Sequence, residues 1–243
     1  MKLLARCAAL AAALVTAGCE PDVVQVSAVE HGEMLFEDAA VAGTDLNTYS
    51  CATCHDVDPP PAGALIRPGA PMRGVTKRPS YWGGSEVELL RAVNQCLYYF
   101  MLKDGPWTPE DADAQAVYAY LESLSTTEEG TEAQPFTVVG EIYDLPAGDA
   151  GNGQGIYDRA CGLCHGKAHT GEGRLVERAA VLPEETLEAH PLDKYTPDQR
   201  RLVFVEKARH GAFLGYPGQM PPFSLEKLSD AEMGDLLAFL DLY

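Results

Sequence analysis

Two short segments of the 243-residue chain carry closely spaced cysteines followed directly by a histidine. They read CATCH at residues 51–55 and CGLCH at residues 161–165. Two thiols at this spacing can add to the vinyl groups of a porphyrin, and the adjacent imidazole can then bind the iron. Paired cysteines also bind zinc, but here each pair has its own histidine directly beside it. The spacing therefore predicts two covalently bound haem c groups.

The segments around the two motifs share one plan, which indicates an internal duplication. In each segment a helix places a glycine four residues before an aromatic residue: Gly32 before Phe36, and Gly153 before Tyr157. The glycine permits close approach of another helix, and the aromatic ring lies on the same helix face. Apolar helices close the two units, and they are predicted over residues 111–124 and 228–243, with Tyr120 and Phe239 at equivalent places.

Two further helices are predicted, over residues 85–102 with Ser85 as the amino-terminal cap, and over residues 197–213. Alternation typical of a strand is confined to residues 136–139, so the predicted fold class is all-α. The acidic stretch 126–148 has no helical apolar period and is predicted to be a linker.

The amino terminus has the pattern of a secretory signal peptide. Residues 1–18 carry Lys2 and Arg6, then an apolar run that is short for a membrane-spanning helix, and they end in small residues. Small residues before Cys19 resemble the cleavage motif of bacterial lipoproteins, in which the cysteine is lipidated. Ordinary signal cleavage is the alternative, because Thr16 departs from that motif. We therefore expect an exported, periplasmic protein that a lipid on Cys19 anchors to a bacterial membrane.

The charge balance limits the choice of partners. The chain has 18 Lys and Arg against 36 Asp and Glu, a net charge of −18. This excludes a general nucleic-acid binder and favours redox partner proteins with a basic docking surface. The segment between Asp58 and Glu86 is an exception to this negative charge, because it contains no carboxylate. Its cations, which we expect to neutralise haem propionates or to bind an anion beside the first haem, are Arg67, Arg73, Lys77 and Arg78.

With these features the chain resembles the class I cytochrome c superfamily twice over, across nearly all of residues 27–243. The resemblance implies two tandem cytochrome c-like domains, each wrapped around one haem, at residues 27–125 and 149–243. It also implies the roles of the motif residues. The haem attachment sites are Cys51, Cys54, Cys161 and Cys164, and the proximal iron ligands are His55 and His165.

The second unit offers a methionine as the other axial ligand. Met220 lies 55 residues after His165, in a Pro- and Gly-rich segment that resembles the methionine loop of the family. A thioether ligand favours ferrous iron and raises the reduction potential. The alternatives are that Met220 is a core residue and that Lys207 or His210 binds the iron.

The first unit has no such loop, and its candidate ligand is Cys96. The segment RAVNQCLYYFM around this residue resembles the segment that carries the distal cysteine of thiosulfate dehydrogenases and related sulfur-oxidising di-haem cytochromes. The resemblance implies an axial thiolate, which would lower the potential of the first haem. An inert buried cysteine is the alternative, and Met101 or His31 would then supply the ligand.

The preferred interpretation is an electron carrier, in which two axial ligands close each iron and single electrons leave through the haem edge. The alternative is an enzyme that oxidises a small sulfur anion at the first haem, as thiosulfate dehydrogenases do. Cys96 would then be catalytic, as a displaceable ligand or a sulfur carrier. The chain departs from the thiosulfate dehydrogenase pattern in its second unit, which resembles a general cytochrome c.

Overall fold

The structure is a computed structural model, and it describes residues 26–139, 144–211 and 218–242. The predicted signal peptide and Cys19 lie outside these residues. The described part of the chain is helical and forms no strand, which confirms the all-α fold class. Residues 136–139 belong to neither a helix nor a strand, and an isolated bridge joins Tyr81 to Glu86. No helix among those described has the length and apolar character needed to cross a membrane.

The helices follow the duplicated plan of the sequence. In the described residues the α-helices are Ala28–Glu37 (α1), Cys51–Cys54 (α2), Leu89–Tyr99 (α3), Ala112–Ser123 (α4), Ala150–Ala160 (α5), Gly162–His165 (α6), Glu184–Ala189 (α7), Pro197–His210 (α8) and Asp230–Phe239 (α9). Short 3-10 turns cover Ala39–Ala42, Val75–Lys77 and Trp82–Gly84.

Three of the helices start at capping boxes, in which a hydroxyl side chain and a Glu or Gln three residues later bind each other's backbone N–H groups. The pairs are Ser27 with Glu30, Thr196 with Gln199, and Ser229 with Glu232. A cap of this kind is worth about 1 kcal/mol, so these three starts are set by local sequence.

Helix α3 is shorter than predicted, because it begins at Leu89 and not after Ser85. The Glu86 carboxylate accepts the backbone N–H groups of Val87 and Glu88, at 2.8 and 3.0 Å. The Ser85 hydroxyl donates instead to the carbonyl of Trp82, at 2.8 Å. Ser85 is therefore part of a turn, and the prediction that it caps the helix is wrong.

In the first unit, α1 crosses α4 at very short range. A Cβ atom on Gly32 would lie 2.0 Å from the carbonyl oxygen of Ala116, so only glycine fits there. One turn later the rings of Phe36 and Tyr120 pack with centroids 5.5 Å apart and an interplanar angle of 54°.

The second unit repeats this crossing with α5 and α9. A Cβ atom on Gly153 would lie 2.0 Å from the carbonyl oxygen of Asp235. The rings of Tyr157 and Phe239 pack 5.6 Å apart at 52°. The predicted roles of the two glycines and of the aromatic residues that follow them are therefore confirmed.

The buried apolar side chains form two clusters, one within each unit. Each cluster also contacts or includes a residue of the other unit. Ile66 of the first unit packs against the second cluster, and Val176 of the second unit is part of the first cluster. The two units are consequently packed against each other and share apolar surface.

The stretch between the units is also packed, although its acidic composition suggests an exposed connection. Phe136 meets Trp82 of the first unit edge-on, with ring centroids 5.3 Å apart. Its neighbour Thr137 donates its backbone N–H to the Glu226 carboxylate of the second unit, at 3.0 Å. Adjacent residues of this stretch therefore bind opposite units.

Candidate functional site

The first motif lines a cavity that is partly open to solvent. Cys51, Cys54 and His55 all face it. The remaining wall is mostly apolar, as a porphyrin face requires. Apolar residues in that wall include Val75, Trp82, Leu97, Val117 and Leu121.

His55 is held in one orientation by the chain that follows the motif. Its Nδ1 lies 2.8 Å from the backbone carbonyl oxygen of Ala70. A carbonyl can only accept, so Nδ1 carries the proton and Nε2 keeps its lone pair for a metal. A Cβ atom on Gly69 would lie 2.3 Å from the ring, so glycine is required for this fit. Burial lowers the pKa of His55, which favours the neutral, metal-binding form.

The second motif has the same arrangement around a second, partly open cavity. Cys161, Cys164 and His165 line it, and Nδ1 of His165 lies 2.8 Å from the carbonyl oxygen of Ala180. In both units the accepting carbonyl follows the histidine by 15 residues. Sequence reasoning missed both carbonyls, although a comparison of the two repeats at this spacing could have found them.

Two of the three candidate ligands for the first iron line the first cavity. Cys96, in α3, and Met101, just after it, both line this cavity. Burial, with a smaller contribution from Cys51, raises the pKa of the Cys96 thiol to about 12. His31 is different, because it lies on the outer side of α1, 3.8 Å from Asp113, and does not line the cavity.

Asn94, which belongs to the segment that resembles the sulfur-oxidising cytochromes, acts on the backbone. Its side chain donates to the carbonyl of Trp107 at 2.9 Å and accepts the N–H of the same residue at 2.8 Å. This pair of hydrogen bonds closes the loop that follows α3. Asn94 thereby fixes the turn that carries Met101.

In the second unit, Met220 and Lys207 both line the second cavity. A Cβ atom on Gly211 would lie 2.0 Å from the carbonyl oxygen of Met220, and Gly211 has a φ of +53°, so glycine is needed where α8 meets this loop. His210 does not line the cavity, because its ring binds the Glu206 carboxylate and the carbonyl of Val139. Burial lowers the pKa of Lys207, which makes its neutral amine more accessible.

The four cations of the carboxylate-free region do not form one group. Arg73 pairs with Asp58, and Lys77 is exposed outside both cavities. Arg78 lines the first cavity, where it donates to the carbonyls of Pro71, Arg73 and Gly130. It is buried and pairs with no carboxylate among the described residues, as a cation that receives a propionate would be.

Arg67 differs from the expectation, because it lines the second cavity and not the first. It pairs with Asp56, and its buried Nε has no hydrogen-bond partner among the described residues. This orphaned donor, like Arg78 in the first cavity, fits the acidic edge of a haem. The zinc alternative requires about four protein ligands in one place. Among the described residues, no group of three or more His, Cys, Asp and Glu side chains is placed to hold a metal ion.

The two cavities share a wall. Tyr49, Cys54, Pro68 and Pro221 line both of them. Cys54 is part of the first motif and Tyr49 lies two residues before it, whereas Pro221 follows Met220 directly. The two motifs are therefore close neighbours in the fold.

A helical fold in which a CxxCH motif faces an apolar cavity, with its histidine held by a carbonyl, is typical of c-type cytochromes. The family model of cytochrome c oxidase, cbb3-type, subunit III matches residues 148–240. The chain thus contains a cytochrome c domain, which implies covalently bound haem c and electron transfer by the haem.

No curated protein sequence matches the chain. Among solved structures, the chain is similar to thiosulfate dehydrogenase (TsdBA) from Marichromatium purpuratum in its "as isolated" form, with 20% identity and a TM-score of 0.42. The similarity covers 88% of this chain and 45% of that chain. The chain thus spans less than half the length of this relative.

Proposed function

We propose that the protein is a periplasmic di-haem c-type cytochrome that carries single electrons between redox partners. The observation that supports it is the repeated geometry of the two motifs. Each CxxCH faces its own cavity, and each histidine is bound through Nδ1 to a carbonyl 15 residues later. A second haem at Cys51, Cys54 and His55 follows from this equivalence. The proposal includes export and anchoring through a lipid on Cys19.

The side chains that line the two cavities support this proposed role in electron transfer. Bound haem supplies a one-electron iron couple at each site. His55 and Cys96 line the first cavity, and His165 and Met220 line the second. With Cys96 and Met220 also holding the irons, bound haem would exchange single electrons with partner proteins without a substrate binding to the metal. The acidic surface would steer partners with a basic docking surface.

The second candidate is oxidation of a small sulfur anion at the first haem, as in a thiosulfate dehydrogenase. One observation favours it: Cys96 and the buried cation Arg78 line the same cavity. Arg78 would attract the anion, and Cys96 would leave the iron or carry the sulfur. The electrons released would then pass through the second haem.

Purified full-length protein tests both functions. A haemochrome assay is expected to give two haems per chain, and one haem per chain would contradict the di-haem proposal. The oxidised protein is then mixed with thiosulfate, with sulfate as the matched control anion, across a range of pH. Reduction of the haem bands by thiosulfate alone would favour the enzyme. Unchanged bands, together with reversible one-electron titration of both haems, would favour the carrier.

A further inference from the structure

The two units exchange loops, and each loop forms part of the other unit's cavity. Residues 65–68 of the first unit line the second cavity. The backbone N–H of Ile66 donates to the carbonyl of Arg159 at 2.9 Å, which fixes this loop on the second unit. In return, the second unit contributes Pro221, Pro222, Ser224 and Lys227 to the wall of the first cavity. Neither cavity is therefore built by one unit alone.

Lys227 is the charged member of this exchange. Its side chain lines the first cavity, and among the described residues no carboxylate lies within ion-pair distance of its ammonium group. Burial lowers the pKa of Lys227, and the charge of Asp56, which is itself paired with Arg67, opposes that lowering. The positive charge of Lys227 is thus not cancelled locally.

The ammonium group of Lys227 belongs to the same cavity as the first motif. Lys227, Arg78 and His55 all line this one cavity. A positive charge in the wall of the cavity favours the addition of an electron to a metal bound there. No lysine or arginine of the first unit other than Arg78 lines this cavity.

We propose that Lys227, a residue of the second unit, sets the reduction potential of the haem in the first unit. Its positive charge raises that potential and offsets the lowering that an axial Cys96 thiolate would cause. The second unit thereby brings the reduction potential of the first haem closer to that of the second haem. The inference rests on the proposed di-haem function and adds a residue that controls its energetics.

The test uses the full-length protein with both haems bound. Lys227→Gln removes the charge, Lys227→Arg keeps it, and Lys194→Gln removes an exposed charge of the second unit that lines neither cavity. Spectroelectrochemical titration gives the two potentials of each variant. Met220→Ala, which alters the second cavity, identifies which potential belongs to the second haem.

We expect Lys227→Gln to lower the potential of the first haem and to leave the second unchanged. Lys227→Arg is expected to retain the first potential, and Lys194→Gln to move neither. The inference is overturned if Lys227→Gln leaves the first potential unchanged, or shifts both potentials equally. A chain with only one haem would contradict the proposed function instead, so the two failures are distinguishable. A role of Lys227 in packing alone would change stability and not the potential.

Discussion

The side-chain amide of Gln219 donates a hydrogen bond to the backbone carbonyl of Phe100, at 3.0 Å. Gln219 directly precedes Met220, which lines the second cavity. Phe100 follows α3, and its N–H donates to the carbonyl of Cys96 at 3.1 Å. One hydrogen bond thus joins the loop of one candidate axial ligand to the turn beside the other.

Loss of this hydrogen bond is expected to weaken binding of Met220 to the second iron. Gln219→Ala leaves the Phe100 carbonyl without its donor, at a cost of about 1 kcal/mol. Imidazole, which competes for the sixth position, should then bind about fivefold more tightly. Loss of the near-infrared methionine-to-ferric band measures the displacement.

Gln115→Ala is the control for this experiment, because Gln115 also donates to a backbone carbonyl, that of Pro109, but lines neither cavity. Equal imidazole affinity in both variants would show that Gln219 does not hold the loop. Absence of the band in the unmodified protein would instead mean that Met220 is not the ligand.

The ligand of the first iron is tested by a pair of variants at the same cavity. Cys96→Ala is expected to change the low-spin spectrum of one haem and to raise its potential, because a thiolate donor is lost. Met101→Leu keeps the volume and removes the thioether, and it should leave both spectra unchanged. The reverse result would identify Met101 as the ligand and Cys96 as a core residue.

The close helix crossing of the second unit predicts that alanine substitutions at two glycines of α5 have opposite effects on stability. Gly153→Ala forces a methyl group against the Asp235 carbonyl and is expected to lower the free energy of unfolding by about 1–3 kcal/mol. Gly155→Ala has open space around its Cβ position and should stabilise the helix by about 0.5–1 kcal/mol. Denaturant titration of the haem-loaded protein, followed by circular dichroism, measures both. Equal stability of the two variants would contradict the crossing.

Docking of the connecting stretch is expected to weaken in acid. Burial raises the pKa of Glu226, but hydrogen bonds from the side chain and backbone of Thr137 outweigh it and hold the pKa at about 2, against 4.5 ordinarily. A lowered folded-state pKa stabilises the fold above pH 4.5, and this contribution disappears as the pH falls from 4.5 towards 2. Because Glu226 is exposed, the effect is limited to about 1 kcal/mol.

Hydrogen exchange at the Thr137 amide measures this docking. In the unmodified protein, protection should fall by up to about fivefold between pH 6 and pH 3, after correction for the intrinsic exchange rate. Glu226→Gln should remove that pH dependence, whereas Glu188→Gln, at an exposed carboxylate of α7, should retain it. The same pH profile in both variants would show that Glu226 does not hold the stretch.

The features that could be predicted from the sequence are local or repeated. The CxxCH spacing predicts two sites for haem attachment. The four-residue spacing of Gly153 and Tyr157 predicts the face of α5 that meets α9. The start of α3 is less predictable, because two local hydrogen-bonding patterns compete there. The Glu86 carboxylate binds the backbone N–H groups that follow it, and Ser85 does not cap the helix.

What could not be predicted depends on residues far apart in the sequence. Nothing near Lys227 indicates that its side chain faces the first motif, since that position follows from the packing of two units. Arg67 was assigned to the first haem because it is near that motif in sequence, but its loop crosses to the second cavity. The Gln219 bond to Phe100 spans 119 residues and has no local signature.

The position of Phe136 has a consequence for how the protein matures. Together with Gln134 and Pro135 it covers part of the first cavity, and the second unit closes another side of the same cavity. In the di-haem protein that we propose, haem would have to reach Cys51 and Cys54 before these parts arrive. Because domains of a chain fold in order from the amino terminus, the first motif could be loaded before the second half has folded. Biogenesis is therefore expected to proceed in chain order, with folding of the second half acting as the step that seals the first cofactor in place.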